Sequence, residues 1–159
     1  MSLVVTSPVT GTVVGLDSVP DPAFSTMMVG PGTAVDPLRE RGHVCAPVGG
    51  TLRKLKHHAF IVVTDEGYGV LVHLGIDTIS LDGTGFASLA AEGDLVLAGQ
   101  PIVAWDPGAL AAEGFSPICP VIALDATDAM LSQRTGARPV MAGDPLFTWD
   151  SSELIREPG

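Results

Sequence analysis

Two short motifs each occur twice in this chain, and they limit its fold more than any other feature. Pro8-Val9-Thr10-Gly11-Thr12 returns as Pro47-Val48-Gly49-Gly50-Thr51. Ala98-Gly99-Gln100-Pro101, followed by Ile102 to Asp106, returns as Ala142-Gly143-Asp144-Pro145, followed by Leu146 to Asp150. In both pairs a turn signal leads into a short apolar run. Proline at the start of a run suits the first residue of a strand, where an N–H donor can be missing. Each pair therefore reads as one supersecondary unit used twice. With two copies at unequal spacing, the chain is a compact duplicated fold and not a solenoid. The expected class is all-β: a sandwich of short strands, with few short helices.

The rest of the chain fits that frame. Glycine (19) and proline (13) are spread through 159 residues, as frequent turns require. Hydrophobic residues make up 46% and charged residues 16%, enough to build one core. We expect a single domain over residues 1–150 and a frayed tail over 151–159. Ser2 to Val5 reads as a strand. Asp21 to Met28 reads as a helical turn, with Asp21 as N-cap and Pro22 at the first helical position. Arg39 to Gly42 reads as a turn. Phe86 to Gly93 and Leu110 to Gly114 read as short helices closed by glycine. Asp125 to Gly136 is the longest helical candidate.

Charge and composition exclude several functions. The net charge of −10 argues against a nucleic-acid partner and suits contact with basic protein surfaces. No apolar run is long enough to cross a bilayer, and no signal peptide is visible, so a cytoplasmic location without membrane insertion is expected. Cys45 and Cys119 lack metal-ligand spacing and read as buried thiols.

The chemistry concentrates in His58 to Thr78. Two β-rich runs flank Thr64-Asp65-Glu66-Gly67, the form of a hairpin. In the second run Val70, Val72, Leu74 and Ile76 share one face, and Leu71, His73, Gly75 and Asp77 the other. A two-residue turn at Asp65-Glu66, or one pair later, puts His58 on the face of His73. An odd-length loop puts them on opposite faces.

Two paired imidazoles admit a metal site, a phosphoryl-transfer site or two structural histidines. A zinc peptidase of the lysostaphin type fits poorly, because His73-x3-Asp77 comes late and no histidine follows it. A biotinyl or lipoyl carrier shares the Gly-Thr and Ala-Gly-x-Pro repeats. Such a carrier needs a lysine at a hairpin tip, whereas Lys54 and Lys56 sit beside His57. The phosphoryl reading uses His73 as nucleophile, since a neutral imidazole is available near pH 7. His58 would then hydrogen-bond the phosphoryl oxygens, and the Gly75 carbonyl would accept the other ring N–H of His73. No Walker A loop, dinucleotide fingerprint or serine nucleophile elbow is present.

The chain also resembles a known family, the glucose-type IIA domains of the bacterial phosphoenolpyruvate:sugar phosphotransferase system. The resemblance runs through Ser7 to Gly11, Asp17 to Phe24, Met28 to Gly32, Ala46 to Thr51, His58 to Phe60, Val72 to Thr78, Gly83 to Phe86 and Glu92-Gly93. It implies an antiparallel β-sandwich with internal duplication, a phosphotransferase with no required cofactor. By position, His73 resembles the phosphorylated histidine and His58 its supporting partner. Phe24, Leu71 and Ile76 lie where the family presents an apolar docking patch. Asp21 and Asp77 lie where acidic groups meet a basic partner. The implied donor is the histidine-phosphorylated carrier protein HPr, and the implied acceptor a cysteine on the IIB domain of a sugar permease. The second reading is a phosphorylation-dependent regulatory binding module, in which the same face docks regulatory targets. A zinc ion shared by His58, His73 and a partner's carboxylate fits the ligand chemistry, although two protein ligands do not make a site. One departure stands out: Lys56 replaces a threonine found two residues before the supporting histidine in enteric relatives.

Overall fold

The computed structural model describes residues 2–132 and 136–150. Its first half supplies strands β1 (Ser2–Thr6), β2 (Gly11–Val13), β3 (Gly32–Pro37), β4 (Gly42–Cys45), β5 (Gly50–Leu55), β6 (Ala59–Val63) and β7 (Gly69–His73). The second half supplies β8 (Phe86–Ser88), β9 (Leu95–Val96), β10 (Pro101–Trp105), β11 (Cys119–Ala123), β12 (Leu131–Ser132), β13 (Arg138–Val140) and β14 (Pro145–Asp150). Two short helices interrupt them, α1 (Pro22–Ser25) and α2 (Pro107–Ala112). The pairing is antiparallel throughout the described residues. One sheet has eight strands in the order β13-β2-β3-β11-β7-β6-β5-β9, and two smaller sheets run β1-β14-β12 and β4-β10-β8. This is the all-β class that the repeats imply.

The duplication is visible in the hydrogen bonds. Thr6 N–H donates to the Pro47 carbonyl, and Cys45 N–H donates to the Pro8 carbonyl, so the two Pro-Val turns serve each other. Ser7 exchanges two backbone bonds with the Gly143–Asp144 turn, and Ala46 makes the same exchange with the Gly99–Gln100 turn. Within those turns the side chains act alike. Asp144 accepts from Met141 N–H at 2.8 Å, and Gln100 accepts from Leu97 N–H at 3.1 Å. Gly11 and Gly50 are equivalent too. A Cβ would lie 2.1 Å from the Asp36 carbonyl oxygen at Gly11 and 2.2 Å from that of Val63 at Gly50.

Two readings of local structure are corrected. Phe86 to Gly93 is not a helix: Phe86–Ser88 is a strand paired with β10, and that ladder overrides its helix-forming composition. Asp125 to Ser132 is not a helix either. It holds a 3-10 turn over Asp128–Met130 and then β12, which pairs with β14. Residues 133–135 of that candidate, and the tail over 151–159, lie outside the described residues. The helix expected over Leu110 to Gly114 begins earlier, as α2, with Asp106 accepting from Ala109 N–H at 3.1 Å.

The large core lies between the sheets and takes Val70, Val72 and Leu74 from β7 and its exit. A smaller cluster of Leu16, Val19, Phe24, Ala34, Ile76 and Ile122 lies apart from it. Leu71 packs against this second cluster. Both faces of β7 are thus covered, and His73 lies two residues beyond Leu71 on the smaller cluster's side.

Candidate active site

The hairpin carrying the site has an odd loop. Val63 pairs with Gly69, and Thr64 N–H donates to the Tyr68 carbonyl at 3.0 Å around Asp65-Glu66-Gly67. Gly67, at φ +96°, supplies the left-handed residue of this three-residue turn. The register therefore sets Ala59, not His58, opposite His73. The two-residue turn expected from the sequence is corrected accordingly.

The histidines still meet. His58 precedes the first residue of β6, so face alternation does not bind it. Lys56 N–H donates to the Ala59 carbonyl at 2.8 Å and closes a bend over these residues. His58 stays tethered by its carbonyl, which accepts from Leu74 N–H at 2.7 Å. The small side chain of Ala59 opposite His73 leaves room for a second ring. The imidazoles of His58 and His73 lie edge to face, with centroids 5.2 Å apart at 68°. Phe24 approaches His73 from elsewhere, also at 5.2 Å and at 62°. His73 is therefore in contact with both an imidazole and a phenyl ring.

His73 Nδ1 donates to the Gly75 carbonyl oxygen at 2.6 Å, as expected. A carbonyl cannot donate, so this bond holds the proton on Nδ1 and leaves the Nε2 lone pair free in the neutral ring. Gly75 is required where it stands. Its φ is +79°, and a Cβ would lie 2.8 Å from Thr78 Cγ2 and 2.9 Å from the Ser116 carbonyl oxygen. The loop is tied down on both sides of it. Thr78 Oγ1 donates to the Leu74 carbonyl at 2.8 Å, and Ile76 N–H donates to the Ser116 carbonyl at 2.9 Å.

The electrostatics follow from burial. Burial pushes the His73 pKa below the ordinary value of 6.5, while the Gly75 carbonyl and the carboxylates of Asp21 and Asp77 oppose that shift. Burial also lowers His58, helped by positive charge on His73, His57 and Lys56. Both rings are thus held neutral near pH 7. Asp21 caps α1, accepting from Ala23 N–H at 3.0 Å, as the sequence implies. Asp77 is exposed and left-handed, at φ +62°.

The expected apolar docking patch needs correction. Phe24 is 5% exposed and Ile76 is 3% exposed, both inside the smaller core, and Leu71 is half-buried against it. Ile76 departs from the face of Val70 and Val72 because β7 ends at His73. The accessible apolar group beside the histidines is Ile79, at 67% exposure, which borders a depression together with His57 and His58. Sequence reasoning missed it. The only local signal was an isoleucine just past the Asp77-Thr78 turn. His43 lies elsewhere, in a depression with Phe86 and Trp105. No group of three His, Cys, Asp or Glu side chains among the described residues is placed to hold a metal ion. Cys45 and Cys119 are free, buried thiols, and burial pushes Cys119 up to about 12.

Residues 3–129 match the family described as phosphoenolpyruvate-dependent sugar phosphotransferase system, EIIA 1. The chain belongs to this family. It is accordingly a phosphotransferase component of the sugar phosphotransferase system. A glucose-specific EIIA component of Oceanobacillus iheyensis is 35% identical over 122 residues, which cover 76% of this chain and 73% of that one. An N-acetylglucosamine-specific EIICBA component of Escherichia coli K12 is 45% identical over 124 residues. That match covers 77% of this chain but only 19% of the relative, so the chain spans about a fifth of that protein's length. The solved structure of glucose permease IIA from Mycoplasma capricolum superposes with a TM-score of 0.84 at 33% identity, over 93% of this chain and 96% of that one. Within this EIIA family the sandwich and its duplication are therefore expected. Among the described residues, no helix is long and apolar enough to cross a membrane.

Proposed function

We propose that His73 is the phosphoryl acceptor of this EIIA chain. The donor is the histidine-phosphorylated carrier protein HPr, and the acceptor is a cysteine on the IIB domain of a sugar permease. The observation that carries the reading is the Nδ1 bond to the Gly75 carbonyl, with His58 beside the same ring. In the first step the Nε2 lone pair of His73 attacks phosphorus as the donor's P–N bond breaks, and the donor nitrogen takes back its electron pair. In the second step a thiolate sulfur attacks, and the P–N bond to His73 returns its pair to Nε2. Such transfers depend on positioning and charge stabilisation. The first is supplied by the pinned tautomer, the second by a hydrogen bond from His58 to the phosphoryl oxygens.

The name of the E. coli relative, an EIICBA component, supports a IIB partner for this chain. The donor and acceptor together make the cytoplasm its working compartment. Asp21 and Asp77 suit a basic partner surface. Leu71 and Ile79 are the apolar groups that meet it, and Phe24 and Ile76 lie in the smaller core against which Leu71 packs. The test is phosphorylation by a reconstituted donor system. Wild-type protein should gain acid-labile, base-stable phosphate, and His73→Ala should gain none. Undiminished labelling of His73→Ala would falsify the assignment.

A further inference from the structure

The chain carries 8 Lys and Arg against 18 Asp and Glu. Three of the eight, Arg53, Lys54 and Lys56, fall in one short segment with His57 and His58. The pairing of β5 with β6 shifts between Leu52 and Lys54, a bulge that leaves Arg53 and Lys54 both exposed. The bend closed by Lys56 and Ala59 then presents Lys56, His57 and His58 in succession. All three line one depression of about 570 Å³, whose other walls include Ile79, Asp82 and Gly83.

His57 is exposed, yet its ring has a fixed seat. A Cβ on Gly83 would fall 2.8 to 3.0 Å from three atoms of the His57 ring, and Gly83 has φ +89°. The imidazole thus rests on bare backbone at that residue. Lys56 offsets the charge of Asp82, the one carboxylate lining the depression. The two imidazoles therefore face the space without net negative charge beside them.

The charge acting on His73 itself is negative, from the carboxylates of Asp21 and Asp77. A phosphoryl group on His73 carries about −1.5 to −2 charge by analogy with other phosphorylated side chains. It is repelled by those carboxylates and attracted toward the His58 side.

We propose that Lys56 and His57 form the cationic half of the phosphoryl site, binding phosphoryl oxygens from the His58 side during transfer to and from His73. The proposal rests on His73 being the acceptor. The bonds made and broken are those of the transfer itself: the donor's P–N bond breaks as the Nε2–P bond forms. Lys56 contributes charge and His57 a ring N–H hydrogen bond, and neither exchanges a proton.

Two measurements test this. The first follows the ring resonances of His57 and His58 by NMR while inorganic phosphate is added to the unphosphorylated protein. Phosphate should shift both rings in the wild type. Lys56→Glu should weaken that binding about tenfold or more, the weight of one charge-assisted hydrogen bond, and Lys56→Arg should retain it. The second is single-turnover transfer from the phosphorylated donor. Lys56→Gln should be slower by about tenfold, its deficit should shrink at high salt, and Lys56→Arg should be near wild type. Wild-type transfer rates in both Lys56→Gln and Lys56→Glu would overturn the proposal, as would phosphate shifts independent of Lys56. The acceptor assignment fails differently, through wild-type protein that takes up no phosphate on His73 at all.

Discussion

At the first copy of the Pro-Val motif Gly11 opens β2, and the chain makes a long excursion from Val14 to Pro31 before returning as β3. At the second copy of the Pro-Val motif Gly50 opens β5, and the chain returns as β6 after only Lys56, His57 and His58. The two ladders start from equivalent turns and equivalent glycines. What separates them is the connection. The long excursion folds into α1 and delivers Asp21 and Phe24. The short bend delivers His57 and His58. Both converge on His73, with Phe24 and His58 each 5.2 Å from its ring. Duplication thus fixed the scaffold twice, and divergence of one connection gave the site one acidic, aromatic wall and one basic, imidazole wall.

The scaffold half of that comparison breaks most dramatically at its glycines. Gly11→Ala and Gly50→Ala each force a Cβ into a carbonyl oxygen of the paired strand, so each should lose more than about 3 kcal/mol or fail to fold. Gly99→Ala is the control. Its φ is +88° but nothing lies within 4 Å of the new Cβ, so the cost should stay near ~1 kcal/mol. Denaturant unfolding reads all three. If Gly11→Ala were tolerated and Gly50→Ala not, the two turns would not be equivalent.

Next come the walls. Phe24→Ala empties part of the smaller core and should cost about 3 kcal/mol in stability. Ile79→Asp should leave the thermal midpoint nearly unchanged and slow transfer from the donor about tenfold, because it charges an exposed apolar contact. A result with the roles exchanged would return Phe24 to the docking surface and remove Ile79 from it.

These substitutions also mark what the sequence could reveal. The repeated turns were legible because glycine and proline signals are local. The Asp21 cap and the Gly75–His73 bond were legible for the same reason, since each partner lies within two residues. The hairpin register was not, because Asp65-Glu66-Gly67 can serve a two- or a three-residue loop. His58 and His73 meet through a bend that escapes strand alternation, so that pairing was anticipated with the wrong geometry. Burial of Phe24 and Ile76 depends on Leu16, Ala34 and Ile122 arriving from three other elements, and no local pattern reports that. Phe86–Ser88 failed likewise, since its strand exists only through β10.

The bend itself is tested at His58. His58→Ala should fold and still accept phosphate on His73, but transfer should slow on the order of 10²-fold. His58→Gln keeps a donor without positive charge. It should fall between wild type and alanine if hydrogen bonding dominates, and match alanine if imidazolium charge does. Near-wild-type transfer per folded molecule in His58→Ala would leave His73 working alone.

The smallest effect concerns pH, and it separates the two walls by sign. The nucleophile is neutral His73, so transfer should fail as pH drops through its folded pKa. Burial sets that value below 6.5, and Asp21 and Asp77 push it back up. Asp21→Asn removes one upward push while keeping a capping oxygen for Ala23. The acid limb of the rate profile should therefore move to lower pH. Lys56→Gln acts on the other wall. Lys56 holds His58 down, so its loss should let the His58 ring titrate at higher pH, by NMR. Stability follows the same linkage. Because both folded pKa values lie below 6.5, the unfolded chain binds these protons more readily. The folded state keeps its full margin above 6.5, loses it as pH falls toward the folded values, and loses no more below them. His73→Gln cannot titrate, so its thermal midpoint should fall less than wild type between pH 7 and pH 5, taken as roughly bracketing ordinary histidine titration. An acid limb that moved upward in Asp21→Asn would remove Asp21 from the charges acting on His73, and an equally steep midpoint profile in His73→Gln would mean that burial does not govern the proton on His73.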